Sequence, residues 1–323
     1  MKKQISVVIP TYRRPQLLTK CLHALFNQTL SPTLYDVIVV SDGYDDSTEK
    51  LVHEMKHVFS DRLFYLHTEV KKGPAAARNY GWLFSNSQLV AFTDDDCIPD
   101  SKWLEELYRV YHGELHMAYT GYVQVPIAKK PTDYEKNVAR LEEAEFITAN
   151  CACTKEALYF IGGFDERFEM AWREDSDLHF KFLRYQVPIV HIPTACVVHP
   201  VRKAKWGISL KEQKKGIYNA LLFKKFPELY RQRIATHTSY RYYLLLLLLI
   251  LMLTSGLIRA KVFFIASAVA WMGLTAAFIL FRLKGTRKTI AHIVEMVVTS
   301  ILIPYVSIYW KIYGWVKYKV IMF

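Results

Sequence analysis

Apolar and polar positions alternate in blocks along the first 200 residues. Ile5–Pro10 is a short apolar run, and Pro15 then opens a stretch with Leu17, Leu18, Cys21, Leu22 and Leu25 at helical spacing. Tyr35–Val40 is a second, β-branched run. Leu51, Val52, Met55 and Val58 follow it on one helical face. Leu63–Leu66 and Leu89–Phe92 repeat the strand pattern, with Pro74–Phe84 as the helix between them, and a further helix opens at Ser101. Strands alternating with helices predict an α/β fold with a mainly parallel sheet, in which ligands sit at the carboxyl ends of the strands.

The pattern changes in the last third. Tyr242–Ile258 is 17 residues without a charge and Val262–Phe281 is 20. At helical rise these measure about 26 Å and 30 Å, against a hydrocarbon core of about 30 Å. Only Arg259, Ala260 and Lys261 separate them, which predicts a tight hairpin of membrane helices near 242–258 and 262–281. A third apolar helix is expected near 290–310. It holds His292, Glu295 and Pro304 and ends in Tyr305, Tyr309, Trp310, Tyr313 and Trp315. That composition favours a helix lying at the membrane interface over a third span.

Charge sharpens this division. The net charge is +12, yet residues 1–235 carry 32 basic and 29 acidic side chains, whereas 236–323 carry ten basic and one acidic. Cations flanking apolar runs suit a membrane protein whose basic flanks, and hence whose residues 1–235, face the cytoplasm. Residues 202–235 form a basic juxtamembrane segment. Its WGISLKEQKKGIYNALLFKKFPEL interleaves apolar and basic positions, suited to an anionic leaflet or to a solvated face. No basic recognition helix interrupts the acidic N-terminal half, so nucleic acid is not an expected partner. The five cysteines, Cys21, Cys97, Cys151, Cys153 and Cys196, form neither an even framework nor a C-x-x-C, which suits a reducing compartment. The N-terminal apolar run is too short for a signal peptide and is expected to be structure.

Candidate chemistry lies in the acidic clusters. Thr11-Tyr12-Arg13-Arg14 follows the first strand in place of a G-x-G-x-x-G, which argues against a common dinucleotide fold. Asp42 ends the second strand beside Gly43, while one of Asp45, Asp46 and Ser47 is needed to cap the next helix. Asp94-Asp95-Asp96 are three adjacent carboxylates at a strand end, which repel one another unless a cation is present. In extended backbone Asp94 and Asp96 face one way and Asp95 the other. Hard oxygen ligands favour Mg2+ or Mn2+. Glu174, Asp175 and Asp177 form a second cluster, larger than a helix cap requires. His199 follows another apolar strand and is a candidate metal ligand.

SVVIPTYRRP, VVSDGYDDST, KKGPAAARNYG, FTDDDCIPD, ANCACTKEALYFIGGFDERF and REDSDL, in that order, resemble the motifs of the family 2 glycosyltransferases over residues 4–200. The resemblance implies a GT-A fold, a Rossmann-like mainly parallel sheet flanked by helices and followed here by C-terminal transmembrane or interfacial helices. It implies an inverting transfer from a UDP- or GDP-sugar. Pro10, Thr11, Arg14 and Asp42 would then line the nucleotide pocket, Arg78 would help hold the nucleotide and Asp94 would contact the ribose. Asp96 and His199 would hold Mn2+ or Mg2+, Asp175 would be the catalytic base and Glu174 its orienting neighbour. Gly162 and Gly163 would let backbone approach the sugar, and Asn150 would touch donor or acceptor. Arg13 stands where the family often has Asn, and Ser41 and Tyr44 alter the base pocket. No Q-x-x-R-W follows Asp177, which favours addition of one sugar per encounter. The apolar helices imply a lipid-linked or membrane-associated acceptor and membrane lipids as partners. A sugar-phosphate nucleotidyltransferase and a membrane-tethered pseudoenzyme are the alternatives.

Overall fold

The continuous apolar runs become the centre of one eight-stranded sheet. A computed structural model of the chain describes residues 3–234 and 240–322. The side chains of Val58 and Ser60 lie outside the described residues, and with them Val58's place on the predicted helical face. The strands are β1 (Ile5–Thr11), β2 (Tyr35–Ser41), β3 (Leu63–His67), β4 (Leu89–Phe92), β5 (Ile98–Pro99), β6 (Ala118–Gln124), β7 (Cys151–Thr154) and β8 (Ile189–Val198). Their order is β3-β2-β1-β4-β7-β6-β8-β5.

The sheet is mixed. The half β3-β2-β1-β4 is wholly parallel. β7 enters antiparallel to both β4 and β6, β6 pairs parallel with β8, and β5 closes the edge antiparallel to β8. β1, β2 and β4 are buried along their whole length, because helices cover both faces of a parallel sheet.

Helices follow the strands and cover the sheet. They are α1 (Pro15–Phe26), α2 (Asp46–Phe59), α3 (Pro74–Phe84), α4 (Trp103–Val110), α5 (Asp133–Val138), α6 (Lys155–Ile161) and α7 (Glu174–Arg184). One apolar core joins Val8, Ile38 and Phe92 of the sheet to Trp82 of α3, Leu158 of α6 and Phe182 of α7. Burying those side chains removes about 1.5–3 kcal/mol worth of apolar surface from water apiece. The same packing fixes α3 and α7, and with them Arg78, Glu174 and Asp175.

The chain forms two compact units, Met1–Pro126 with Ala139–Val201, and Ile127–Val138 with Arg202–Phe323. The basic segment after Val201 therefore groups with the apolar helices. The boundary expected at 235/236 falls among residues 235–239, outside the described residues.

The second unit holds α5 and the helices α8 (Ile208–Glu212), α9 (Ile217–Lys225), α10 (Pro227–Arg233), α11 (Tyr240–Leu257), α12 (Lys261–Leu283) and α13 (Ile290–Tyr318). Three of these, α11, α12 and α13, are long and apolar enough to cross a membrane. The turn between α11 and α12 uses Arg259 at φ +58°. Leu253, Leu257, Val262 and Phe263 around it are exposed, an apolar surface that suits lipid contact. The third helix, expected to end near 310, continues to Tyr318, with Pro304 accommodated inside it.

α13 touches both open ends of the α11–α12 hairpin. Arg282 near the end of α12 donates to Thr299 at 2.6 Å and Ser300 at 3.0 Å, and it pairs with Asp133 of α5 at 2.7 Å. Lys311 lies over the ring of Tyr243 at the start of α11. Elsewhere on the same helix, Glu295 accepts from Gly207 N–H at 2.7 Å, Lys214 lies over Trp310 and Lys224 donates to Tyr318 O at 2.8 Å.

Candidate active site

Three neighbouring strand ends supply one side of the site. β1 runs out through Pro10 and Thr11, both buried, to Arg14. β2 delivers Asp42, and β4 delivers Asp94, Asp95 and Asp96. Thr11 Oγ1 donates to Asp95 Oδ2 at 2.7 Å, and Arg14 Nε lies 3.1 Å from that oxygen. Arg14 Nη1 lies 3.9 Å from Asp96 Oδ2. Asp95 is thus turned into the fold, within a turn in which Cys97 N–H donates to Asp94 O at 3.1 Å and not in the extended backbone expected. Burial pushes its carboxyl up to about 7 against the pull of Arg14 and Thr11.

Asp42 is buried and committed to a loop. Its Oδ1 accepts from Lys72 N–H at 2.7 Å and from Gly73 N–H at 2.9 Å. Gly73 sits at φ +102°, where a Cβ would lie 2.4 Å from Glu169 O. The loop into α3 therefore needs both that glycine and that carboxylate. Asp45 proves to be the cap of α2, accepting from Thr48 N–H at 3.3 Å.

Arg78 joins the two acidic clusters. The resemblance casts it as a nucleotide contact, yet its side chain is 2% exposed, with Nη2 2.6 Å from Asp94 Oδ1 and Nη1 3.3 Å from Glu174 Oε1. Buried between two carboxylates, it is a bridge and not an exposed ligand-binding cation. Burial would raise Asp94, but Arg78, with His199 and Arg14, outweighs that and holds it below the usual carboxylate range.

The second cluster opens α7. Arg173, left-handed at φ +75°, turns the chain into the helix, so that Glu174 and Asp175 occupy its first turn. Burial raises both carboxyls, and for Glu174 the neighbouring charge on Asp175 adds to it. Asp175 Oδ1 accepts from Ser176 N–H at 2.6 Å. Asp175 remains half-buried while Glu174 is closed off.

Asp94, Asp96, Cys97 and His199 each offer one ligand atom, and these atoms lie within 4.8 Å of one another. His199 follows β8, where its N–H donates to Gln124 O at 2.8 Å. Its Nε2 lies 3.7 Å from Asp96 Oδ1, and its Nδ1 has no hydrogen-bond partner among the described residues. A buried imidazole nitrogen left without a partner is costly. Two carboxylates, a thiol and one imidazole nitrogen gathered within 4.8 Å of one another are a donor set that a divalent cation fits.

Two expected substrate contacts turn out otherwise. Asn150 is fully buried; its Nδ2 donates to Tyr122 O and Ala195 O, both at 2.8 Å, and its Oδ1 accepts from Trp103 Nε1 at 2.8 Å. It cross-links β6, β8 and α4 and has no amide proton left for a sugar. Gly163 packs inward, where a Cβ would lie 2.7 Å from Asn79 Oδ1 and 2.9 Å from Trp82. Its neighbour Gly162 is exposed and ends α6 at φ +74°.

Asn79 emerges as a residue that the sequence reading passed over. Its Nδ2 donates to Phe164 O at 3.0 Å, and its Oδ1 accepts from Phe164 N–H and Trp82 Nε1, both at 2.9 Å. It staples the loop of Gly162 and Gly163 to α3. Its place directly after Arg78 was the available signal. Lys181 of α7 ties the same loop by donating to Gly163 O at 2.6 Å.

The sequence pattern of Glycosyl transferase family 2 matches residues 6–168. Glycosyltransferase AglE of Haloferax volcanii is 37% identical over 101 residues, which cover 31% of this chain and 33% of that protein. Validoxylamine A glucosyltransferase of Streptomyces hygroscopicus subsp. limoneus is 23% identical over 253 residues, 65% of this chain and 52% of that protein. The matches to these two curated relatives thus span 33% and 52% of their lengths. Mannosyltransferase PcManGT from Pyrobaculum calidifontis, solved with GDP-Man and Mn2+, superposes with a TM-score of 0.56 at 18% identity, covering 99% of this chain and 88% of that one. S. aureus TarS superposes with a TM-score of 0.51 at 16% identity, covering 72% and 44%. The structural likenesses bear on the fold, which is of the GT-A type. With half its length matched by the family pattern and the family's acidic motifs standing at the strand ends of that fold, this chain belongs to glycosyltransferase family 2.

Proposed function

We propose that this chain transfers one sugar from a UDP- or GDP-sugar to an acceptor hydroxyl held at a membrane, with inversion at the anomeric carbon. The observation that carries the reading is Arg78, buried between Asp94 and Glu174, which ties the two acidic clusters together. PcManGT, which shares the fold, binds GDP-Man and Mn2+. Relatives named for poly(ribitol-phosphate) glucosyl transfer and chondroitin synthesis point to a glycan product.

The residues divide the work. Pro10, Thr11 and Arg14 line the nucleotide pocket, and Asp42 addresses the base with the lone pairs that its backbone bonds leave over. Asp94, kept ionised by Arg78, accepts from the ribose. Asp96 and His199 hold Mn2+ or Mg2+, which supplies positive charge against the leaving diphosphate. Asp175 takes the acceptor's hydroxyl proton as that oxygen attacks the anomeric carbon, and the bond from this carbon to the nucleoside diphosphate breaks. Glu174, fixed by Arg78, orients Asp175.

In the membrane, α11 and α12 span as a hairpin, with their basic ends and the catalytic domain on the cytoplasmic side. α13 lies at the interface. It meets both open ends of the hairpin and runs beside Lys214 and Lys224, charges that a span would draw into hydrocarbon at several kcal/mol each. Cysteines introduced as Arg259→Cys and Lys319→Cys should then react with impermeant reagents from opposite sides. Labelling from one side would make α13 a third span.

The donor is tested by thermal unfolding of the full chain with a panel of nucleotide sugars and Mn2+. One donor should raise the unfolding temperature by mass action, and Asp96→Ala should abolish the metal-dependent part. A panel without any such rise overturns the reading.

A further inference from the structure

The residue after the triple aspartate has no role in the transfer described above. We propose that Cys97 is a thiol donor at the Asp96–His199 site and makes that site prefer thiophilic divalent ions, Zn2+ or Cd2+, over Mg2+. The inference rests on the metal-holding reading of Asp96 and His199 and deepens it.

Cys97 is fully buried, and its Sγ is one of the four ligand atoms within 4.8 Å of one another. His199 is nine-tenths buried, and its Nδ1 lacks a hydrogen-bond partner among the described residues. Asp94 is already bound to Arg78 at 2.6 Å. Besides Asp94, the cluster offers a carboxylate, an imidazole and a thiol. Three protein ligands of that kind with a position left open are what zinc commonly takes, whereas Mg2+ favours oxygen ligands and gains nothing from the thiol. A hard ion uses Asp96 and leaves the thiol protonated. A thiophilic ion forms a bond to Sγ, and the thiol proton passes to solvent. Zinc should therefore compete for the site and outlast a hard ion there.

The test is zinc-edge X-ray absorption on the full-length protein in detergent with one equivalent of Zn2+. The expected spectrum has a sulfur neighbour at about 2.3 Å and an imidazole nitrogen at about 2.0–2.1 Å. Cys97→Ala should lose the sulfur and weaken zinc at least about tenfold, while Mn2+ affinity by electron paramagnetic resonance stays nearly constant. Nitrogen and oxygen alone in the wild type would remove Cys97 and leave the Asp96–His199 reading standing. Sulfur that persists unchanged in Cys97→Ala would assign zinc to another cysteine and overturn the proposal. Zinc without imidazole that excess Mn2+ fails to displace would overturn the metal reading itself. The wild-type spectrum decides the matter even where Cys97→Ala does not fold.

Discussion

Asp94 and Asp175 lie at the two ends of one line of buried charge and are driven in opposite directions. Burial acts on both. At Asp94 it is outweighed by Arg78 at 2.6 Å, and the carboxyl is held below its ordinary range. At Asp175 it prevails over Ser176, Arg173 and Arg78, and the carboxyl is raised. The same residue type thus becomes a permanent charge at one strand end and a group ready to accept a proton at the start of α7. The balance between burial and the surrounding cations decides which is which.

The largest effect that would break this contrast is loss of the raised carboxyl. Asp175→Asn should lower transfer by about 10²–10⁴-fold while nucleotide-sugar affinity, measured by calorimetry, stays within about twofold. Near wild-type turnover would remove Asp175 as the base. Arg78→Met should come next. It leaves buried Glu174 and half-buried Asp94 without their cation and should cost about 3–5 kcal/mol in denaturant unfolding, with Arg78→Lys losing less. An unchanged midpoint would mean that the bridge contributes nothing.

Asn79→Ala removes the staple on the 162–166 loop and should cost about 1–3 kcal/mol, with KM raised more than kcat is lowered. Equal stability and unaltered kinetics would return Asn79 to the background. The smallest effect is on the pH profile. Because burial raises Asp175, its proton-accepting form is lost on acidification sooner than in a free aspartate. The acid limb of kcat/KM should therefore lie above the ordinary value of about 3.9, with the rate falling as pH drops through it. A limb at or below that value would sharpen the comparison against us. Since Glu174 and Asp175 interact, the limb reports the pair.

Legibility followed the range of the forces involved. β1, β2 and β4 were readable because strands buried on both faces are continuously apolar. β5, of two residues, and β6 and β7, mixed in character, left no comparable run and were missed. α11 and α12 were readable to within two residues, since length and hydropathy decide a membrane helix. Of the site, Asp96, His199 and Asp175 could be named from motifs. That Asn150 is consumed as a cross-link and that Gly163 packs on Asn79 could not.

By itself, then, the sequence determined an α/β half followed by apolar helices, the acidic strand ends and the family. These rest on local pattern, which neighbouring residues settle among themselves. Only the tertiary structure decided that Arg78 would bind Glu174, 96 positions away, and so tie the two acidic clusters together. A pairing across that distance depends on where a whole sheet sets α3 and α7, and no short window of residues encodes it.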